Sequence, residues 1–171
     1  MAINSEPPDP ESVARAYFGA VARRDLEAME ACFAPGAVDE LHGLAELRVP
    51  GSFRSWFAAL FAAFPDFDFE VLDVMGSGEK AAVRWRARGS FNGTGRFEGL
   101  EPNGAEIDIE GCDVLTVVEG RIQRLDAYLN GAEMARQLGA LPPQGSLAER
   151  ALTDALNLKT RLIGYLQARR S

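Results

Sequence analysis

The sequence predicts an α+β domain in which three N-terminal helices cover one face of a cone-shaped, curved antiparallel sheet. Apolar residues recur at helical spacing before Pro65, and they alternate with polar residues from Phe67 onward. Apolar residues make up 47% of the 171 residues, which is enough for a core without disulfide or metal cross-links. We expect a pocket domain over residues 1–139, a Pro/Gly linker over 140–145 and a separate helix over 146–171.

Each of the three predicted helices has a recognisable start. Asp9 and Pro10 suit the beginning of the first helix, because Asp caps free N–H groups and Pro fits the first helical position. Asp25 is expected to cap a second, short helix, which is followed by a brief strand over residues 37–41. Ser52 is expected to cap the third helix after an intervening loop.

Alternation within the predicted strands assigns residues to two faces of the sheet. If Trp85 faces inward, the neighbouring arginines face away, and on the next strand Asp113 shares the inner face with Ile109 and Leu115. An acid on an otherwise apolar face is the most unusual residue of the chain. The outward arginines are Arg84, Arg86 and Arg88, and the last strand points Leu125, Ala127 and Leu129 inward and Arg124, Asp126 and Tyr128 outward.

Composition excludes several classes of function. The net charge of −7 argues against nucleic-acid binding, which needs clustered basic residues. Cys32, Cys112 and His42 are too few soft ligands for a zinc site, so no metal and no cofactor are expected. No apolar run is long enough to span a membrane and no signal peptide is recognised, so a cytoplasmic protein is expected.

The segment 146–171 differs from the rest of the chain. It holds five basic and two acidic residues, a balance of +3, so residues 1–145 carry −10. Leu152, Leu156 and Leu166 recur at helical intervals and predict an amphipathic helix. We expect this helix to pack on its own domain or on a second copy of the chain.

Several strings, in this order, resemble a known family. They are AYFGAVARRDLEAMEACFAPGAV, FAALFAAFPDF, AVRWRARGSF, GLEPNGAEIDIEGCDVLTVVEGRI and YLNGAEMARQLG, between Glu11 and Gly139. They resemble the SnoaL-like polyketide cyclases, the ketosteroid isomerases and the limonene epoxide hydrolases of the nuclear transport factor 2 superfamily. The resemblance implies a cone with an apolar pocket for a small molecule, and a homodimer that the outward arginine face would form.

The resemblance also implies candidate catalytic residues. Asp113 matches the isomerase acid that stays protonated in an apolar site and donates a hydrogen bond to the developing enolate. Tyr17 matches the tyrosine of the same oxyanion site. Alternatively, Asp113 is a structural acid that accepts from backbone amides or from the Tyr17 hydroxyl. The isomerase's catalytic aspartate would fall near Leu41, so the neighbouring Glu40 and His42 are the candidate bases.

The chain also departs from its relatives. The cyclases and hydrolases place an acid on the last strand where this chain has Ala127, and the histidine of many cyclases is replaced by Phe91. The Arg-x-Asp pair of the hydrolases has no counterpart. Neither mechanism is therefore expected to transfer intact.

The pocket wall is expected to be aromatic and aliphatic. The first hypothesis is a cofactor-independent isomerase or cyclase (a lyase) that abstracts a proton from an apolar carbonyl compound and stabilises the enolate. The second is a non-catalytic binder of a hydrophobic metabolite, and the third is an interaction module that uses the C-terminal helix. The predicted wall residues are Trp56, Phe57, Trp85, Phe91, Leu41, Leu125 and Ala127.

Overall fold

The computed structural model describes residues 7–168 as helices packed on one six-stranded sheet. This arrangement confirms the predicted fold class. Residues 1–6 of the predicted pocket domain, and Arg169, Arg170 and Ser171 of the predicted C-terminal helix, lie outside the described residues. The helices are α1 (Pro10–Ala22), α2 (Leu26–Ala31), α3 (Gly51–Ala63), α4 (Gly131–Gln137) and α5 (Leu147–Ala168). The strands are β1 (Phe33–Leu41), β2 (Ala45–Arg48), β3 (Asp68–Ser77), β4 (Lys80–Ser90), β5 (Glu106–Val118) and β6 (Arg121–Leu129).

The strand order is β2-β1-β6-β5-β4-β3. Neighbouring strands are antiparallel except β1 and β6, which run parallel, so the sheet is mixed. Strands β3 to β6 follow one another as an antiparallel meander. Its last strand, β6, lies beside β1 and runs parallel to it. Helix α1 packs across β3, β4 and β5, and α3 packs near β2. The space between these helices and the inner face of the sheet contains the core.

Two of the three predicted helix caps are confirmed. Asp9 accepts a hydrogen bond from the backbone N–H of Ser12 at 3.1 Å, and Asp25 accepts one from Ala28 at 3.0 Å. The predicted cap at Ser52 is wrong. Its hydroxyl instead accepts the backbone N–H of Arg48 at 2.9 Å, and α3 begins one residue earlier with no side-chain cap.

Strand β2 was expected to be part of a loop. It is a short edge strand that pairs with the end of β1, from Val38 opposite Arg48 to Leu41 opposite Ala45. Only Leu47 of its four residues is buried, so the strand has too little alternation to be recognised from its sequence.

The outer face of the sheet carries the predicted arginines. Arg84 pairs with Glu110 at 3.5 Å, Arg88 pairs with Asp68 at 3.3 Å, and Arg86 forms two hydrogen bonds with Asp108. On the same face Asp126 bonds to Arg124 at 2.7 Å. These arginines therefore find their partners within the chain.

Helix α5 extends away from the rest of the chain. Every described residue from Arg150 to Gln167 is exposed, so this part of α5 buries little of its surface against the described residues of the domain. An ion pair of 3.1 Å between Arg136 and Glu149 fixes its first turn to α4. Among the described helices, α5 included, none is long and apolar enough to cross a membrane.

Candidate functional site

A cavity of about 90 Å³ lies between α1, α3 and the inner face of the sheet. Its wall is apolar except for a few polar groups that converge from three elements. Tyr17 comes from α1, Asp39 from β1 and Asp113 from β5, and all three side chains are buried. These are the only Tyr, Asp or Glu side chains among the described residues that line the cavity. The cavity is the candidate site for this reason.

Asp113 is held in the cavity wall by a tryptophan. The Nε1–H of Trp85 donates to Oδ1 of Asp113 at 2.8 Å. Trp85 lies opposite Gly111 in the β4–β5 register, and a Cβ added at Gly111 would overlap the six-membered ring of the indole. The absence of a side chain at Gly111 therefore lets the indole lie across β5 and reach the carboxylate two residues away.

The ionisation of Asp113 reflects a balance between burial and hydrogen bonding. Burial raises its pKa from 3.8 to about 7, because desolvation disfavours the charged form. Hydrogen bonds from Trp85 and from the backbone of Tyr128 oppose this rise, since they stabilise the carboxylate. Asp113 therefore changes its charge near neutral pH. Of the partners expected for a structural acid, a backbone amide is present, that of Tyr128, whereas among the described residues Asp113 forms no hydrogen bond with the Tyr17 hydroxyl.

Asp39 is the second buried carboxyl group, and the sequence analysis did not select it. The side chain is 2% exposed, and its Oδ1 has no hydrogen-bond partner among the described residues. Burial raises its pKa well above 3.8, and the charge of Asp113 raises it further. The brief strand expected over residues 37–41 contained the signal, because alternation puts Asp39 on the same face as Ala37 and Leu41.

Tyr17 of α1 is buried in the cavity wall. Its ring packs edge-on against Phe18 and Phe33, with centroid separations of 4.9 and 5.2 Å. Burial raises the pKa of its hydroxyl well above 10, and the charges of Asp39 and Asp113 add to the rise. Tyr17 therefore stays protonated at neutral pH and remains a hydrogen-bond donor.

A small residue opens the space between the two acidic strands. In the sheet register Ala127 of β6 lies between Leu41 of β1 and Asp113 of β5. Its methyl group leaves the inner face of β6 open at this point. The position where the related cyclases have an acid is thus part of the cavity wall here, and a buried acid, Asp39, lies on the neighbouring strand β1.

Neither of the two predicted bases lines the inner cavity. Glu40 bonds to Arg124 at 2.8 Å, and Nε2 of His42 lies 3.0 Å from Oδ1 of Asp126. The His42 ring also stacks on Tyr128 at 4.4 Å. The structure does not bring Glu40 and His42 together with Tyr17 and Asp113, because Glu40 has outward parity and His42 lies just beyond the end of β1.

The predicted aromatic wall is found in part. Trp56, Phe57 and Trp85 line the cavity, together with Leu41 and Ala127. Two predicted residues lie elsewhere in the core: Phe91 stacks on Phe64 at 5.2 Å, and Leu125 is buried at 1% exposure. Neither is among the residues that line the cavity.

A second depression continues the cavity outward. Both are lined by Leu44, Leu129 and Met134, and His42 contributes to the outer one. The depression adds about 240 Å³, so a ligand larger than the inner cavity has room to extend toward the surface. His42 therefore lies where the outer part of a ligand would be, away from the buried acids.

The cavity offers few candidate metal ligands. Within residues 7–168 no group of three or more His, Cys, Asp or Glu side chains is arranged to hold a metal ion. Asp39, Asp113 and Tyr17 are the ionisable groups that face the cavity.

Comparisons with known proteins agree with this fold. AclR from Streptomyces galilaeus, assigned as a hydroxylase, superposes with a TM-score of 0.68 at 20% identity, covering 91% of this chain and 95% of that chain. A protein from a Jannaschia species, assigned as a SnoaL-like polyketide cyclase, has a TM-score of 0.70 at 18% identity, with coverages of 83% and 99%. IdmH from Streptomyces antibioticus, assigned as a polyketide cyclase, has a TM-score of 0.62 at 27% identity, with coverages of 76% and 98%.

Sequence comparison gives the family. No curated protein matches the chain significantly. The model of the SnoaL-like domain matches residues 14–125, a range that includes Tyr17, Asp39 and Asp113. The fold, the cavity and this match agree, and the chain belongs to the SnoaL-like family.

Proposed function

We propose that the protein is a cofactor-independent isomerase or cyclase that acts on an apolar carbonyl compound. The observation that carries the proposal is the pair of buried carboxyl groups, Asp39 and Asp113, that face one apolar cavity beside Tyr17. Two acids with raised pKa values in one site can divide the roles of proton donor and proton acceptor. The assignment of several similar structures as polyketide cyclases supports the same type of reaction.

The hydrogen bonds suggest which acid has which role. Asp113 receives N–H donors from Trp85 and from the backbone of Tyr128, and these favour its ionised form. Asp39 has an unpartnered Oδ1 and a pKa that is raised further, so it keeps the proton. Because both carboxyl groups do not readily ionise together, Asp113 is the base and Asp39 is the acid.

These roles give a simple reaction step. The Asp113 carboxylate takes a proton from the carbon next to the substrate carbonyl, and the C–H electron pair becomes the C=C bond of an enolate. Asp39 and Tyr17 donate hydrogen bonds to the carbonyl oxygen, where the negative charge develops. Return of the proton at another carbon isomerises the substrate, whereas attack of the enolate carbon on a second carbonyl closes a ring.

The assignment differs from the one drawn from the resemblance, in which Asp113 and Tyr17 hold the oxyanion. Paired Asn and Ala variants distinguish the two. Asn keeps a hydrogen-bond donor but is not a base, and Ala provides neither. We expect Asp113→Asn and Asp113→Ala to be equally inactive, with losses on the order of a hundredfold or more, and Asp39→Asn to retain clearly more activity than Asp39→Ala.

The assay uses an apolar enolisable ketone as the probe. Exchange of the α-protons of 2-tetralone in deuterated buffer, followed by NMR, measures proton abstraction directly. The converse result, with Asp113→Asn active and Asp39→Asn inactive, would restore the assignment drawn from the resemblance. Prolonged chelation of metals is expected to leave the exchange rate unchanged.

A binding measurement separates the enzyme from a non-catalytic binder. 2-Naphthol resembles the enol of 2-tetralone, and its affinity should fall in Tyr17→Phe and Asp39→Ala if these groups hold the oxygen. Tight binding of 2-naphthol by a wild-type protein that catalyses no exchange would contradict the enzymatic proposal. Mass spectrometry of the natively purified protein would then identify the molecule that the cavity holds.

A further inference from the structure

A short hairpin between the inner cavity and the outer depression carries a residue with a strained backbone. Phe97 and Leu100 exchange two backbone hydrogen bonds, of 3.1 and 2.9 Å, and so close a two-residue turn. Both residues of the turn have positive φ angles, 49° at Glu98 and 80° at Gly99. Such turns favour Asn, Asp or Gly at the first central position, because the left-handed backbone is strained for most other residues. The backbone of the turn therefore does not explain why position 98 is a glutamate.

The side chain of Glu98 makes a contact that a smaller residue could not make. Its Oε1 accepts the indole N–H of Trp56, on α3, at 2.7 Å. The indole also packs edge-on against Phe57 at 5.0 Å and against Phe97 at 5.4 Å. The two phenyl rings limit where the indole can lie, and the hydrogen bond determines which way its N–H edge points. Glu98 therefore holds the Trp56 ring in one orientation.

Trp56 and Glu98 lie where the inner cavity and the outer depression meet. Trp56 and Phe97 line the inner cavity, whereas Glu98 lines the outer depression. The hydrogen bond from Trp56 to Glu98 thus joins the two walls. A ligand that extends from the buried acids into the outer depression passes the indole and the apolar side chains that belong to both walls. These side chains are Leu44, Leu129 and Met134.

We propose that Trp56 determines which ligands the cavity accepts, and that Glu98 is the residue that positions it. A planar ring held in one orientation leaves a passage that fits a flat ligand and excludes a branched one. The site then accepts flat apolar carbonyl compounds and rejects those with a branched group at the end away from the carbonyl. This selectivity rests on the proposed function in one respect: the oxygen of the ligand lies beside Tyr17 and Asp39. Proton transfer involves neither Trp56 nor Glu98, so the two proposals can fail separately.

Three ligands test the selectivity by binding alone, without turnover. 2-Naphthol is flat, 2-anthrol adds a third flat ring at the end opposite the hydroxyl, and 6-tert-butyl-2-naphthol adds a branched group at that end. Isothermal titration of the full chain should show that 2-anthrol binds at least as tightly as 2-naphthol. The tert-butyl compound should bind more weakly than 2-naphthol by about tenfold or more, because forcing a bulky group against a fixed ring is costly.

Substitutions of Glu98 then test whether it positions Trp56. Glu98→Ala removes the acceptor, so the discrimination against the branched ligand should fall to about twofold or less. Glu98→Gln keeps a side-chain carbonyl oxygen that can accept the indole N–H, and it should retain most of the discrimination. Glu101→Ala is the matched control, because it removes an acid of the same hairpin whose partner is Arg96, at 2.6 Å. It should leave the ratio of the two affinities unchanged.

Glu98→Gly should change stability and selectivity in opposite directions. Glycine adopts a positive φ without strain, so this variant should melt about 2–4 °C above Glu98→Ala. It should nevertheless lose the discrimination to the same extent, because the indole has no acceptor in either variant. If Glu98 had only a structural role, the more stable variant would be the more selective one.

A double-mutant cycle assigns the effect to the contact itself. Trp56→Phe removes the N–H and should lower the discrimination without any change at Glu98. Adding Glu98→Ala to Trp56→Phe should change the ratio of affinities no further, because the contact is already lost.

Three results would overturn the proposal. One is a wild type that binds 2-naphthol and 6-tert-butyl-2-naphthol equally well or binds neither. Another is a ratio of affinities that Glu98→Ala leaves unchanged, and the third is a Glu98→Ala effect of full size in the Trp56→Phe background. Discrimination without exchange of 2-tetralone protons would contradict the proposed function alone, whereas exchange without discrimination would contradict the role of Trp56 and Glu98 alone.

Discussion

Asp39 and Glu40 are adjacent on β1 but lie in opposite environments. Asp39 points into the cavity, is 2% exposed and has one oxygen without a partner. Glu40 points to the outer face and bonds to Arg124 at 2.8 Å. The same contrast holds across the sheet, where burial raises the pKa of Asp113, and Arg124 and His42 lower the pKa of Asp126.

The contrast shows that the side of the sheet decides what an acid can do. On the outer face Asp108 and Asp126 each have an arginine beside them that lowers the pKa of the carboxyl group, which makes both poor proton donors or acceptors near neutral pH. On the inner face no cationic side chain of the described residues lines the cavity, so the carboxyl groups keep pKa values suited to proton transfer.

The largest expected effect is on the exchange rate, which should depend on Asp39 but not on its neighbour Glu40. Asp39→Ala should lower the rate of 2-tetralone exchange on the order of a hundredfold, since it removes a donor to the developing oxyanion. Glu40→Ala should change the rate less than twofold, because its side chain lies on the outer face of the sheet. Steady-state exchange rates of the two variants provide the measurement. A hundredfold loss in Glu40→Ala would show that the outer cluster takes part in the reaction.

The sequence predicted those features of the fold and the site that depend on a local period of apolar residues. The helices, the alternation of β4 to β6 and the inward Asp113 were predictable, because each depends on a local period in the sequence. Asp39 was within reach of the same rule, but its neighbours Glu40 and His42 were chosen from the resemblance. The alternation of inward and outward residues on β1 identifies the buried acid, Asp39. Alignment with the isomerase, whose catalytic aspartate falls near Leu41, does not identify it.

Other features depend on contacts that no local pattern reveals. The bond from Trp85 to Asp113 requires Trp85 to lie opposite Gly111, and that register depends on the length of the connection between β4 and β5. The parallel pairing of β1 with β6 likewise joins residues that are far apart in the sequence. The exposed position of α5 could not be predicted, since its pattern fits packing on the domain or on another copy equally well.

The second largest expected effect concerns the hydrogen bond that Trp85 donates to Asp113. Trp85→Phe removes the N–H that stabilises the carboxylate, so the pKa of Asp113 should rise by about one unit. If Asp113 is the base, the exchange rate increases with pH through a midpoint near 7 in the wild type. The midpoint should move upward by the same amount in the variant, which lowers the rate at pH 7 about fivefold.

Gly111→Ala tests the same hydrogen bond by displacing Trp85 rather than replacing it. The added methyl group overlaps the indole, so Trp85 must move and its bond to Asp113 should weaken. The midpoint of the exchange rate against pH should shift upward in Gly111→Ala, as in Trp85→Phe. Gly131→Ala is the control, because a Cβ at that position meets no atom within 4 Å. An unchanged midpoint in both Trp85→Phe and Gly111→Ala would show that the indole does not set the ionisation of Asp113.

The smallest expected effect is on the free energy of unfolding. Its dependence on pH should differ in sign between an acid on the inner face of the sheet and one on the outer face. The folded pKa of Asp113 is raised from 3.8 to about 7, so between these values the folded protein binds more protons than the unfolded chain. The free energy of unfolding therefore falls as the pH rises from about 4 to about 7. Asp113→Asn removes this loss and should be more stable than the wild type at pH 8, by about 1 kcal/mol or more.

Asp126→Asn should have the opposite sign. The folded pKa of Asp126 is lowered by Arg124 and His42, so its ionised form stabilises the protein above about pH 4, and this contribution disappears as the pH falls through the folded value. The variant should lose about 1 kcal/mol at pH 7 and less at pH 3. Urea unfolding at pH 5 and pH 8 for Asp113→Asn, and at pH 3 and pH 7 for Asp126→Asn, measures both. If the two variants respond to pH with the same sign, the inner and outer faces do not impose opposite environments on their acids.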